Sequence, residues 1–225
     1  MRIAPKARDP IVLSYLQLRK AVGIVALALP FALAIPWFFL RGYIIESSIS
    51  SYYYTGMRNL FVGSLCAIAM FMLCCRGYDR KDEIAGMLSA IFALGVAFFP
   101  TSPDGHATPL QLRVGVVHYT FAALLFLTLA YFCFFLFTMT AADRKLTRQK
   151  MQRNVVYTVC GWVIIVSIGL IALLSGLLKV QYLIGTVGTM FCFETTSLLA
   201  FGFAWLVKGE TFLKDEDPNV ARIGK

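Results

Sequence analysis

Glu46-Ser47-Ser48-Ile49-Ser50-Ser51-Tyr52-Tyr53-Tyr54-Thr55-Gly56-Met57-Arg58-Asn59 is a polar, hydroxyl-rich stretch set between two strongly apolar segments. Its three consecutive tyrosines make it too aromatic for a plain flexible linker. It reads as an ordered polar surface at one face of a membrane, and the rest of the chain is placed relative to it. On its amino-terminal side lies the apolar run Ala21 to Leu40, and on its carboxyl-terminal side the run Leu60 to Cys75.

Four further apolar runs follow, at Ile84 to Phe99, Val114 to Thr138, Val155 to Leu178 and Ile184 to Val207. Runs near 20 residues match the length a helix needs to cross a hydrocarbon core about 30 Å thick. Over 225 residues the hydrophobic content is 59%, charged residues make up 15%, and the mean hydropathy is +0.72. A soluble domain is excluded on that composition. The expected fold class is all-α: a polytopic membrane protein with six transmembrane helices in one bundle. It forms a single domain over 1-225, with 1-20 as the amino-terminal segment and 208-225 as the tail.

Ala32-Leu33-Ala34 resembles a signal-peptidase site but lies late, and the apolar run continues through Trp37 and Leu40. The first run is therefore expected to be an uncleaved helix. Pro30 and Pro36 fall inside it, which neighbouring helices in a bundle tolerate. Between the runs, Arg76 to Glu83 reads as a charged turn, with Gly77 as a helix stop and Asp79 or Asp82 as a cap. Thr101 to Pro109 reads as a loop, Asp143 to Arg153 as a basic connector, and Lys179-Val180-Gln181 as a short turn.

The formal charge is +9, with basic residues confined to short segments between apolar runs, so the chain is not expected to bind nucleic acid. Seventeen of the 21 lysines and arginines lie in the amino-terminal segment, the second and fourth loops, and the tail. Arg41, Arg58, Arg113 and Lys179 are the remainder. That asymmetry predicts both termini in the cytoplasm, with six spans between them. All six cysteines fall in apolar segments, so no disulfide framework is expected.

Glu194 is the one acidic residue inside an apolar run. Counted from Ile184, ten residues of rise set it roughly 15 Å deep. An acid at that depth is costly, so it is expected to face the bundle and have a partner, or to be protonated, serving either as a functional group or as a structural hydrogen bond. His118 lies about one turn into the fourth run and supplies the second candidate catalytic group. His106, Asp104, His118 and Glu194 suit zinc as ligand types, yet their spacing matches no standard signature, so no metal or other cofactor is expected. No serine stands in a G-x-S-x-G setting.

Arg58, Asn59, Tyr53 and Arg113 gather on the same outer side and suit an anionic headgroup, guanidinium being a bidentate donor. Read one by one, the arginines snorkel and the tyrosines form an interfacial belt. Together they are expected to form an outward-facing polar pocket that binds a lipid or small amphiphile, with its movement or modification left open. Two alternatives stand beside that expectation. One is a membrane-embedded hydrolase or acyltransferase using Glu194 and His118; the other is a structural or assembly protein without a ligand. The expected partner is membrane lipid.

Ser50-Ser51-Tyr52, Leu60-Phe61-Val62-Gly63, Phe98-Phe99-Pro100 with its Asp-containing loop, and His118 carry a resemblance over nearly the whole chain. The sequence is similar to six-helix bacterial membrane proteins grouped as a domain of unknown function. That group resembles in turn the Frag1/DRAM/Sfk1-type superfamily, which implies a six-helix fold and a connection to membrane lipids. The tyrosine run departs from the more acidic first loop of the eukaryotic members.

Overall fold

The computed structural model describes residues 10–42, 44–74, 80–140, 147–177 and 188–213. Expectations for Gly77, Asp79, the Lys179-Val180-Gln181 turn, the helix start at Ile184 and most of the two terminal segments lie outside these residues. Within them the chain is all-helical, with no strand. Six long helices follow one another: α1 (Pro10–Leu40), α2 (Arg58–Cys74), α3 (Arg80–Phe98), α4 (Pro109–Tyr131), α5 (Arg148–Ala172) and α6 (Thr189–Lys208). A short 3-10 helix, Ser50–Tyr54, lies between α1 and α2.

Four segments are long and apolar enough to cross a membrane: Ser14–Leu40, Pro109–Leu136, Arg148–Ser175 and Thr189–Lys208. α2 is apolar but shorter, at 17 residues, and α3 opens on Arg80, Lys81, Asp82 and Glu83. The helices thus have the length and composition of a multi-pass membrane protein. Along α5, Val155, Val159, Trp162 and Val166 recur at helical spacing, each more than half exposed. An apolar stripe presented outward at that spacing fits a hydrocarbon solvent and would be a liability in water.

Each helix packs against its neighbours in sequence, and α1 closes the ring against α6. Consecutive helices run in opposite directions. The end of α2 meets the start of α3, where a Cβ on Gly86 would lie 2.9 Å from the Met72 carbonyl. The α1–α6 crossing depends on two glycines: a Cβ on Gly23 would lie 2.8 Å from the Gly202 carbonyl, and one on Gly202 equally close to that of Gly23. Small residues at such a crossing let the backbones approach, the means by which helices associate in lipid. Towards the end of α4, Phe132, Phe137, Tyr157, Phe201 and Trp205 are all buried and pack ring against ring.

Several helices start earlier than hydropathy predicts. α1 begins at Pro10 rather than Ala21, because a helix carries its polar first turns with it. α3 begins at Arg80, so Asp82 sits in its first turn and is not its cap. α4 begins at Pro109, where Thr108 and Gln111 form a reciprocal capping box. α5 begins at Arg148, with Thr147 accepting from the Lys150 amide at 3.1 Å, so much of the expected basic connector is helix.

Candidate functional site

The Glu46-to-Asn59 stretch folds as a polar cap over one end of the ring. Ser48 Oγ accepts from the Ser51 amide at 3.0 Å and lies 2.8 Å from Ser51 Oγ, which closes the turn entering the 3-10 helix. At the other end of that helix, the Thr55 hydroxyl donates to the Tyr52 carbonyl and accepts from the Met57 amide. Ser48, Ser50, Ser51 and Tyr52 are buried, so the hydroxyl-rich sequence builds an interior.

This cap is tied to three parts of the bundle. The Trp37 indole near the end of α1 donates to Glu46 Oε1 at 2.7 Å. The Ser47 hydroxyl donates to Asp104 Oδ2 at 3.0 Å, and Tyr54 donates to the Thr101 carbonyl at 2.6 Å, joining the cap to the α3–α4 loop. Thr101 in turn donates to the Tyr119 hydroxyl at 2.9 Å. From α6, the Phe191 amide donates to the Ser47 carbonyl at 3.0 Å, and the Phe191 ring packs near Tyr52.

Glu194 supplies the remaining tie. Its Oε2 accepts from the Ile49 amide at 2.6 Å, with the Ser50 amide beside it. These amides stand at the start of the 3-10 helix, where no side chain of that helix caps them. A carboxylate at unsatisfied helix amides is favourable by hydrogen bonding and by the local dipole. Glu194 therefore caps a loop from a helix 145 residues away in sequence.

Gly188 takes the left-handed conformation, φ 55°, and α6 begins only at Thr189. Glu194 is thus five residues into the helix, roughly 7 Å from its start. It sits where α6 meets the cap.

His118 is buried in the first half of α4 and bonds a different element. Its Nδ1 lies 2.6 Å from the Phe99 carbonyl, which can only accept, so this nitrogen carries the proton. The Val96 carbonyl is also within reach. Carbonyls at the end of α3 have no acceptor role left inside that helix, and His118 occupies one of them. No hydrogen bond joins Glu194 to His118: one holds the cap to α6, the other holds the end of α3 to α4. Among the described residues no group of His, Cys, Asp and Glu forms a metal-holding cluster, and His106 is exposed while His118 is buried.

The expected ligand-binding residues lie at the rim. Arg58 is exposed, its guanidinium 4.2 Å from the centre of the Tyr53 ring, and its Nη2 donates to the Tyr53 hydroxyl. Asn59 is exposed beside it at the start of α2. Arg113 is exposed one turn into α4. Burial pushes the Tyr52 and Tyr54 phenols above their ordinary range; for Tyr54 the neighbouring Tyr53 and Tyr119 add to the effect. Trp37, Thr101 and Tyr119 were not singled out by sequence, although Trp37 stands close enough in the chain to Glu46 to have suggested their pairing.

The chain matches no family model, no curated protein and no solved structure.

Proposed function

We propose that this is a six-span protein of a bacterial inner membrane, both termini cytoplasmic, whose outer polar face holds the headgroup of an anionic lipid or small amphiphile. α2 and α3 are roughly 25 and 28 Å long by helical rise, close to the hydrocarbon thickness, which supports spans for both. The lysine and arginine asymmetry supports the orientation. The exposed arginines at the rim, Arg58 and Arg113, support an anionic ligand class.

The observation that carries the reading is Arg58. Its guanidinium is held by the face and hydroxyl of Tyr53, remains exposed at the rim, and has no carboxylate partner among the described residues. A guanidinium oriented by an aromatic ring keeps its other N–H groups for a phosphate or carboxylate. Glu194 and His118 build the support for this face. Their engagement with backbone groups favours positioning roles over the hydrolase or acyltransferase alternative, which would need both freed.

Native mass spectrometry of the detergent-purified protein tests the reading. Wild type is expected to retain anionic phospholipid, and Arg58→Ala to retain several-fold less, with Arg113→Ala showing whether the second rim arginine contributes. Retention unchanged by Arg58→Ala contradicts the role. A second reading, a structural protein without a ligand, is favoured by the Glu194 and His118 bonds, and predicts that their variants alter stability alone.

A further inference from the structure

A second feature lies at the opposite end of the bundle, where α3 begins and α4 finishes. Lys81, Ile84, Ala85 and Leu88 recur at i, i+3, i+4 and i+7 on α3, and Leu124, Leu127, Thr128 and Tyr131 do so on α4. The two faces enclose a laterally open groove of 380 Å³. Ala85 is the small, buried floor between Ile84 and Leu88, and its short side chain makes the space. Ile84, Leu88, Leu124 and Leu127 are all more than a third exposed. The Thr128 hydroxyl is already bonded to the Leu124 carbonyl at 2.7 Å, so the wall of the groove presents almost no polar atoms.

Polar groups gather at one end only. Lys81 is exposed there, with Arg80 next to it and Tyr131 opposite on α4. Of the acids described on the first turn of α3, Asp82 lies near enough to Lys208 to act on its charge, and Glu83 stands about 200° around α3 from Lys81. From Lys81 to Leu88 the groove runs roughly 10 Å along the helix. An apolar channel of that length, closed at its water-facing end by a cation and a phenol, complements an amphiphile with one negative head and an extended chain.

We propose that this groove seats one acyl chain of an anionic phospholipid, with the lipid phosphate at Lys81. The volume falls within the range of small-molecule sites. The charge selects the headgroup, since a lysine near an anionic lipid surface contributes an interaction equivalent to about fivefold in binding. This site shares no residue with the outer rim and does not depend on the reading of Arg58.

The test uses the full-length protein in nanodiscs of equal phosphatidylglycerol and phosphatidylcholine with matched chains, followed by native mass spectrometry of the retained lipids. Wild type is expected to retain phosphatidylglycerol preferentially. Lys81→Ala and Lys81→Gln should each reduce that preference by about fivefold. Leu124→Trp, which fills the groove, should remove one retained lipid of either kind, and thermal unfolding verifies that each variant is folded. Arg58→Ala should leave the Lys81-dependent preference in place, so failure of the outer site and of this one are separable. Glycerol phosphate, the headgroup without chains, should not displace the lipid. A preference indifferent to both Lys81 variants, an unchanged lipid count in folded Leu124→Trp, or displacement by glycerol phosphate would each overturn the proposal.

Discussion

Glu194 shows how an acid inside an apolar helix finds a backbone partner. Its carboxylate meets backbone amides of the cap, and a buried amide that loses its acceptor costs about 1 to 3 kcal/mol. Glu194→Ala is therefore expected to destabilise the protein by about 2 kcal/mol. Glu194→Gln should cost less, since its amide oxygen still accepts from Ile49; chemical unfolding in detergent measures both. A Gln variant as damaging as the Ala variant would show that charge, and not the hydrogen bond, is what the site uses. Tyr52 makes the opposite case. Its ring is fully buried, and its hydroxyl lies beside the Glu46 backbone without a well-aligned hydrogen bond. Tyr52→Phe should be neutral or stabilising. Because burial raises the folded-state phenol above its unfolded value of about 10, the stability it supports is intact below that pH. It is lost as pH rises through the folded value. Melting temperature should fall above about pH 10 in wild type and less steeply in Tyr52→Phe.

Helix ends and crossings decide what the elements can do. Where α4 finishes, Phe132–Leu136 forms a π-helical turn, with the Phe137 amide donating to the Phe132 carbonyl at 2.9 Å. The Phe137 carbonyl then accepts from both Lys150 and Lys208, at 2.8 and 3.2 Å, which joins α4 to α5 and α6. Lysines read from sequence as orientation signals thus also close helix ends. The glycine crossing of α1 and α6 leaves no room for a side chain. Gly202→Ala is expected to cost about 1 to 3 kcal/mol, as overpacking does. Gly169→Ala, on α5 with nothing near a new Cβ, should be neutral or stabilising by up to about 1 kcal/mol. Equal effects of the two substitutions in unfolding titrations would contradict the packing assigned to the crossing. Apolar length was legible in the sequence, and so was the organising role of Glu46 to Asn59. Helix starts were not, because Thr147 and Thr108 cap turns that carry basic or polar residues and so lie outside any hydropathy window. The partner of Glu194 was hidden for a related reason: it depends on where Gly188 starts α6 and on a loop whose amides point back at the helix.

At the scale of the whole molecule, the ring of six helices has two unlike ends. One is closed by the hydrogen-bonded cap, with Arg58 and Arg113 at its rim. The other carries Lys81, Lys150, Arg153 and Lys208 among the helix ends. With six spans, as proposed, alternating helix direction would put the residues of each end on one side of a membrane, so six spans and a common side for both termini are a single claim. It is tested most directly by cysteine accessibility in intact bacterial cells, in a background with the native cysteines replaced by alanine. His106→Cys reports the capped end and Arg148→Cys the basic end; both positions are exposed. A membrane-impermeant maleimide is expected to label the cysteine at 106 in intact cells and the one at 148 only after the membrane is opened. Labelling of both in intact cells, or the reverse pattern, would contradict the account.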